Sequence, residues 1–194
     1  MEQSRKRELQ KRANLVRQGV IEATYHAKSG HPGGSLSVSD VLTYLYYVQM
    51  NVDPANPKWE DRDRLVLSKG HCCPALYSVL AQKGYFDRAQ LQKLRHVGAM
   101  LQGHPDMKTV PGVDMSSGSL GQGISAACGM AMAAKLSGKK WRTYAILGDG
   151  ELQEGQVWEA AMFAGFRKLD NLIAIVDNNN LQIDGKVSDV CSVY

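Results

Sequence analysis

Apolar residues recur at alternating steps of four and three along the N-terminal segment, at positions 9, 13, 16, 20, 23 and 27. The positions between them carry mostly charged and polar side chains. This spacing predicts one long amphipathic helix that buries a single apolar stripe and ends near Ser29 and Gly30. Six basic residues precede position 20. We interpret them as the solvated face of this helix rather than a nucleic-acid patch, because no recognition motif or interleaved aromatic residues accompany them.

Loop and capping residues follow this helix. His31–Ser35 contains one proline and two adjacent glycines, so we predict a loop there. A second helix is expected to begin after Ser37 or Ser39, either of which can cap it, and to run to Val48.

Short apolar runs alternate with helical segments in the rest of the chain. Strands are expected at 65–67, 142–147 and 172–177. Helices are expected at about 74–83, at about 87–96 with Asp87 as the N-cap, through the small residues 126–134, and at about 152–167. A long irregular loop separates two of these helices between Gly98 and Gly123. This alternation predicts an α/β fold with a parallel sheet flanked by helices.

Length and composition limit the possible classes of protein. We expect residues 1–194 to form a single domain with its own core. Apolar residues make up 44% and charged residues 22% of the chain, as in a globular protein. No apolar run approaches the roughly 20 residues of a membrane span, and the charged N-terminus is not a secretory signal. Four cysteines without CxxC spacing favour a cytoplasmic location over a disulfide framework.

Two predicted strands each end in oxygen-bearing side chains. Gly148–Glu151 follows the apolar run 144–147, and Asp177–Asn180 follows the apolar run 172–176. Ligands of open α/β sheets bind at the carboxyl ends of the strands. Carboxylate and amide oxygens suit Mg²⁺ or Ca²⁺, and the glycines allow the backbone to approach a large anion. Either cluster alone is also typical of a turn, but the two together predict a metal that holds a diphosphate.

Three of the five histidines follow element ends in loops flanked by glycine or proline: His31, His71 and His104. A single loop histidine is usually a surface residue. Three in the same setting favour a shared site for an anionic or hydroxyl-rich ligand. A zinc site is the alternative, but neither HxH nor HExxH spacing supports it.

Glu154 lies about one turn beyond the Gly148–Glu151 segment, on the helix that this segment opens. An acid at a helix N-terminus is favoured by the helix dipole, and this explanation applies equally to Glu151. The residues alone do not separate this explanation from a functional one.

Six motifs occur along the chain in the following order: SGHPGG, DRLVLSKGH, GHPD, PGVDMSSGSLGQGIS, GDGELQEGQVWEAAMFAG and LDNLIAIVDNNNLQIDG. Together they resemble the N-terminal part of transketolase, a thiamine diphosphate enzyme, from the first helix to Gly185. The family's metal signature is GDG followed by an asparagine about thirty residues later, as in Asp149 and Asn179. The resemblance implies the thiamine-diphosphate-binding fold, with this chain as its diphosphate-binding module.

The resemblance also implies cofactor contacts. The implied metal ligands are the side chains of Asp149 and Asn179 and the backbone carbonyl of Leu181. Through the metal, Asp149 and Asn179 would also hold the cofactor. The other implied cofactor contacts are His71, Gly118, Leu120 and Gly150. The implied cofactors are thiamine diphosphate and Mg²⁺, with Ca²⁺ or Mn²⁺ as alternative metals.

The resemblance implies three catalytic residues. His31 and His104 would line the substrate channel and hydrogen-bond to sugar hydroxyls. Glu154 would join a carboxylate network across a subunit interface. The implied reaction is the reversible transfer of a two-carbon ketol unit from a ketose phosphate to an aldose phosphate.

Complete transketolases continue with the rest of this domain, a pyrimidine-binding domain and a C-terminal domain. We therefore expect an N-terminal subunit of a split enzyme that is incomplete at its C-terminus and self-associates through the cofactor-domain interface. It would need a C-terminal partner subunit carrying the pyrimidine-binding domain, and would have little or no activity alone. The alternative is a non-catalytic cofactor-binding or scaffolding remnant. The intact motif residues favour the catalytic interpretation, because a remnant is free to lose them.

Overall fold

The long N-terminal helix, α1, extends over Gln3–Ala27 in a computed structural model that describes residues 2–183 and 185–193. All predicted stripe positions are buried except Ala27, which is partly exposed. Gly19 lies on the buried face, where a Cβ atom would be 2.1 Å from the Ser78 hydroxyl oxygen. That hydroxyl donates to the Val16 carbonyl at 2.9 Å. Glycine therefore permits the close approach of α1 to the helix that carries Ser78.

The chain forms two compact units. The first comprises the residues up to Arg62 together with His71–Gly112, and the second comprises Asp63–Gly70 together with the residues from Val113 onward. The first unit is helical. Besides α1 it contains α2 (Pro32–Tyr44), a π-helical turn (Leu45–Gln49), α3 (Cys73–Lys83) and a 3₁₀ helix (Arg88–Lys93).

The prediction of a loop over His31–Ser35 is wrong, because α2 begins at Pro32. A proline at the first helical position has its backbone already set for the helix and lacks only an N–H that would be unpaired there. The Ser35 hydroxyl donates to the His31 carbonyl at 2.7 Å, and the Ser39 hydroxyl donates to the Ser35 carbonyl at 2.8 Å. The predicted capping serine Ser39 is thus a buried residue inside the helix.

The predicted helix from Asp87 to about His96 begins where expected, but the rest of the prediction is wrong. The Asp87 carboxylate accepts from the Ala89 N–H at 2.9 Å, as a cap should. The segment that follows is the 3₁₀ helix Arg88–Lys93, not a longer α-helix. It ends because Leu94 has an extended ψ of 131° and Arg95 a positive φ of 61°.

The second unit is built on a parallel sheet with the order β1-β2-β3. Its strands are β1 (Arg64–Leu67), β2 (Thr143–Gly148) and β3 (Leu172–Asp177). Beyond this sheet, β4 (Leu181–Gln182) and β5 (Gly185–Lys186) form an antiparallel pair, followed by α6 (Val187–Val190). The predicted parallel α/β fold is confirmed.

Helices α4 (Gln122–Leu136) and α5 (Gly155–Phe166) belong to the same unit. The buried alanines of α4 are Ala127, Ala131 and Ala134, and their small side chains allow the helix to pack closely into the core. The helix predicted at about 152–167 is divided, because Glu154 has an extended ψ of 119°. A 3₁₀ turn over Gly150–Gln153 therefore precedes α5.

Within the residues that the structure describes, no helix combines the length and apolar character needed to cross a membrane. The cysteines there are all free thiols. Cys72, Cys73 and Cys128 are buried, and Cys191 is exposed.

Candidate functional site

The carboxyl ends of β2 and β3 lie side by side, because Gly148 pairs with Asp177 in the parallel register. The residues that follow each strand therefore leave the sheet at the same edge. This is the edge at which α/β proteins bind their ligands. The two polar clusters singled out in the sequence both follow these strand ends.

Asp149 joins the two clusters. Its side chain is almost completely buried, with 2% exposed. One carboxylate oxygen accepts from the Gly150 N–H at 2.9 Å, and the other accepts from the Asn180 N–H at 2.6 Å. A buried carboxylate needs such partners, since desolvation of a charge is costly. Asp149 therefore fixes the turn after β2 against the turn after β3.

Asn179 and Leu181 flank Asn180, whose backbone N–H contacts Asp149. The Asn179 side-chain oxygen accepts from the Leu181 N–H at 2.9 Å, which closes a local turn. Between them, Asn180 adopts a positive φ of 60°, a left-handed conformation that asparagine tolerates better than most residues. An amide oxygen and a carbonyl oxygen each have two lone pairs, and one internal hydrogen bond leaves acceptor capacity for a cation.

The donor set fits a hard divalent cation better than zinc. Asp149, Asn179 and the Leu181 carbonyl supply only oxygen, which Mg²⁺, Ca²⁺ and Mn²⁺ prefer. No group of three or more histidine, cysteine, aspartate or glutamate side chains suited to a metal occurs in the described part of the chain. An oxygen site that includes an amide and a backbone carbonyl is compatible with that result.

Glycines allow the backbone segments at this edge to pack closely against their neighbours. A Cβ atom on Gly150 would lie 3.1 Å from the Gln182 side chain. A Cβ atom on Gly70 would lie 2.8 Å from the Gly118 nitrogen, so the turn after β1 touches the backbone of the long loop. Gly118 itself has a positive φ of 157°. These contacts bring the Gly118 backbone to the same edge, where larger residues do not fit.

Leu120 lies two residues farther along this loop and is half-buried. Its carbonyl accepts from the Gln156 side chain at 3.1 Å, which connects the loop to α5. The structure thus brings Gly118 and Leu120 into the unit that contains Asp149 and Asn179.

Glu151 is a buried carboxylate whose position the sequence did not reveal. Its side chain is 2% exposed, and its oxygens accept from three segments. These donors are the Ser68 hydroxyl after β1, the Gly121 N–H at 2.9 Å before α4, and the Gly148 N–H at 3.0 Å at the end of β2. The helix-dipole explanation is therefore insufficient, because Glu151 connects three turns of the candidate site.

Lys69 and Asp177 form a second connection that the sequence did not reveal. Lys69 follows β1 and is 2% exposed, and its ammonium group pairs with the Asp177 carboxylate at the end of β3. Because β2 lies between these strands, the pair crosses the whole carboxyl edge of the sheet. Such a buried pair is weak evidence for stability, but it holds two charges at defined positions.

Glu154 lies at the same end of the unit but outside the buried network. It is exposed and occupies the N-cap position of α5. Its Cβ atom lies 2.7 Å from the position that a Cβ on Gly121 would occupy. The carboxylate therefore remains accessible at the surface of this unit.

Substitution of Glu151 by glutamine is expected to lower the free energy of unfolding by about 1–3 kcal/mol, the cost of leaving buried donors unpaired. The amide keeps one oxygen acceptor, while its NH₂ group faces an N–H that needs an acceptor. Urea unfolding followed by circular dichroism measures the change. Glu159→Gln on the exposed side of α5 is the matched control and should change stability by less than about 0.5 kcal/mol. Equal stabilities of the two variants would contradict the structural role of Glu151.

The three loop histidines all belong to the first compact unit. The rings of His31 and His71 lie edge to face with centroids 5.1 Å apart. Partial burial lowers the pKa of His104, and the positive charges of Arg95 and His31 lower this pKa further. The structure thus brings His31 into ring contact with His71, and the charge of His31 acts on His104. This favours the shared site over three unrelated surface residues.

These features define a parallel α/β protein with a candidate metal- and anion-binding edge after its second and third strands. The family described as "Transketolase, thiamine diphosphate binding domain" matches residues 9–193, and the chain belongs to this family.

Known proteins similar to this chain include subunits and complete enzymes. A 6-deoxy-6-sulfo-D-fructose transketolase subunit of Clostridium sp. (strain MSTE9) is 52% identical over 94% of this chain and 66% of its own length. An apulose-4-phosphate transketolase subunit of Phocaeicola vulgatus is 48% identical over 96% of this chain and 65% of its own length. The crystal structure of Campylobacter jejuni transketolase superposes with a TM-score of 0.87 at 41% identity, covering 93% of this chain and 29% of that chain. The chain therefore spans just under two thirds of the similar subunits.

Proposed function

We propose that this chain is the diphosphate-binding part of a transketolase that transfers a two-carbon ketol unit from a ketose phosphate to an aldose phosphate. The observation that carries this proposal is the Asp149 carboxylate, which joins the Gly150 and Asn180 turns at the edge of a parallel sheet. The family match supports thiamine diphosphate as the cofactor. When bound, this cofactor supplies the carbon nucleophile that the transfer requires.

Asp149, Asn179 and the Leu181 carbonyl would hold Mg²⁺, which in turn would hold the diphosphate. The backbone of Gly150 would approach the same diphosphate, since glycine carries no side chain of its own. The backbone of Gly118 and the side chain of Leu120 would support the remainder of the cofactor. The residues proposed for these roles all belong to the second compact unit, which supports the assignment.

His71 would contact a cofactor phosphate, and His31 and His104 would hydrogen-bond to sugar hydroxyls. A neutral imidazole offers one donor and one acceptor, which suits a hydroxyl. The lowered pKa of His104 favours this neutral form near pH 7. Accessible Glu154 would join carboxylates of a second copy of the chain when two cofactor domains associate.

We also propose that a C-terminal partner subunit completes the active site in the cytoplasm. Similar proteins from Clostridium and Phocaeicola are named as transketolase subunits, which supports a divided enzyme. Their names indicate different sugar substrates, 6-deoxy-6-sulfo-D-fructose and apulose 4-phosphate.

Reconstitution tests this function directly. The chain and a candidate C-terminal subunit encoded beside it are assayed separately and mixed, with thiamine diphosphate, Mg²⁺, a ketose phosphate and an aldose phosphate. We expect turnover only in the mixture, because each chain would hold one part of the cofactor. Robust turnover by this chain alone would refute the need for a partner.

A second measurement separates the enzyme from the non-catalytic remnant. The mixture is titrated with thiamine diphosphate in the presence of Mg²⁺, and binding heat is recorded. Binding together with turnover supports the proposed enzyme. Binding without turnover for any sugar phosphate pair supports a scaffolding remnant, and absence of binding contradicts both proposals.

A further inference from the structure

Arg95 lies at an unusual bend between the 3₁₀ helix Arg88–Lys93 and the loop that carries His104. Its backbone has a positive φ of 61°, which is rare for a long side chain. Its N–H donates to the Leu101 carbonyl at 2.8 Å, which closes the intervening turn. This backbone hydrogen bond stabilises the bend and thereby fixes the position from which the Arg95 side chain extends.

The Arg95 guanidinium connects two histidine-bearing segments. Its Nη1 atom donates to the Ser29 hydroxyl at 2.9 Å, two residues before His31. The same group packs on Gly103, next to His104, where a Cβ atom would lie only 3.0 Å from Nε. A larger residue at position 103 would displace the guanidinium. Arg95 therefore touches the segments that present His31 and His104.

Helix α3 also holds the His104 loop. The Tyr77 hydroxyl lies 2.8 Å from the His104 carbonyl oxygen, and the Cys73 thiol lies 3.2 Å from the Gly103 carbonyl oxygen. Burial raises the pKa of Cys73 to about 12 and also raises that of Tyr77, so both groups are neutral donors at physiological pH. The loop is thus held both by neutral donors on α3 and by the cationic Arg95.

We infer that Arg95 is a positioning residue of the substrate site, which fixes the His31 and His104 segments relative to each other for a hydroxyl-rich substrate. The positioning stands on contacts within the first compact unit. Only its consequence for a sugar substrate rests on the proposed function. Arg95 acts through His104 and Ser29, and no chemical step is assigned to it.

The charges around His104 determine the expected pH behaviour. Arg95 and His31, whose ring contacts that of His71, contribute positive charge, and the acidic residue Asp106 lies two residues after His104. Partial burial and the two positive neighbours lower the pKa of His104. Loss of the Arg95 charge must therefore raise this pKa, so that His104 becomes protonated at a higher pH.

The test is an NMR titration of the histidine ring protons in the full chain, without cofactor or partner. His104 is identified by the signal that His104→Asn removes. Arg95→Gln is expected to raise the His104 midpoint by roughly half a pH unit and to speed amide exchange at Gly103 and His104. Arg95→Lys keeps the charge but loses the two-sided contact, so it should speed exchange with a smaller change of midpoint.

Two further variants keep the inference falsifiable if Arg95→Gln does not fold. Ser29→Ala removes only the exposed hydrogen-bond acceptor and should speed exchange at Gly103 and His104. Arg88→Gln, which loses an arginine that pairs with Glu22, is the control and should change neither signal. Wild-type midpoints and exchange rates in the Arg95 and Ser29 variants would overturn the inference.

Enzyme kinetics test the role of Arg95 separately from the proposed function. In the reconstituted enzyme, Arg95→Gln should lower kcat/KM for the sugar about tenfold and shift the acidic limb of its pH profile upward, with unchanged cofactor affinity. If no transketolase activity is found with wild type, the proposed function fails, while the NMR titration still decides the role of Arg95. Wild-type activity with an unchanged pH profile in Arg95→Gln would overturn the role at the substrate site alone.

Discussion

Asp149→Asn is expected to abolish tight binding of the Mg²⁺–thiamine diphosphate pair. The substitution removes the one carboxylate of the oxygen set and places an NH₂ group opposite the Gly150 or Asn180 N–H. Substitution of residues that only support metal ligands commonly lowers metal affinity roughly 10–100-fold. Loss of a charged ligand should therefore lower the affinity by more than about 100-fold. Calorimetric titration of the reconstituted enzyme with thiamine diphosphate and Mg²⁺ measures the loss.

The matched control for this variant is Asp170→Asn, the same change at an exposed aspartate that pairs with Lys135 on the surface. Cofactor affinity should be unchanged in this control. Circular dichroism establishes whether Asp149→Asn remains folded before affinity is compared. A folded Asp149→Asn variant with wild-type affinity would exclude Asp149 as a metal ligand and remove the main support for the proposed function.

The sequence predicted the sheet edge well because its signals are local. Apolar runs of strand length ended in the polar residues Asp149 and Asn179, and parallel strands necessarily deliver such residues to one edge. The long buried stripe of α1 followed from spacing alone for the same reason. These patterns require only the geometry of one helix or one strand, not knowledge of what packs against it.

Glu151 and Lys69 were missed because their roles depend on residues distant in sequence. Glu151 accepts from Ser68 and Gly121, and Lys69 pairs with Asp177 across an intervening strand. No local pattern distinguishes a buried acid of this kind from an ordinary acid at a helix start. The sequence signals for them are a lysine two residues after a buried strand and an acid directly after a GDG turn.

The start of α2 was predicted wrongly because local composition was ambiguous. Pro32 followed by two glycines is typical of a loop, yet proline at the first helical position is also favourable. Hydrogen bonds of Ser35 and Ser39 to carbonyls one turn earlier allow these small polar residues to remain buried in the helix. Their burial depends on tertiary packing, which the one-dimensional pattern did not include.

Gly123→Ala is expected to destabilise the second unit and to weaken cofactor binding. Gly123 lies in the first turn of α4, where a Cβ atom would be 2.5 Å from the Ser68 hydroxyl oxygen and 2.7 Å from the Ser68 Cα. Because backbone as well as side chain blocks the methyl group, α4 must move away from the end of β1. Overpacking of this kind costs about 1–3 kcal/mol, measured as a loss in the free energy of unfolding by urea.

The same displacement acts on the candidate site, because Ser68 and Gly121 both donate to Glu151. Gly129→Ala in the same helix provides the matched control. Gly129 is exposed, and a Cβ atom there meets nothing within 4 Å, so this variant should gain about 0.5–1 kcal/mol from helix propensity. If Gly123→Ala lowers and Gly129→Ala raises the free energy of unfolding, helix propensity cannot explain both results. Glycine is then required at position 123 because α4 approaches Ser68 closely. Stabilisation by both alanines would show that α4 does not approach β1 as closely as the structure indicates.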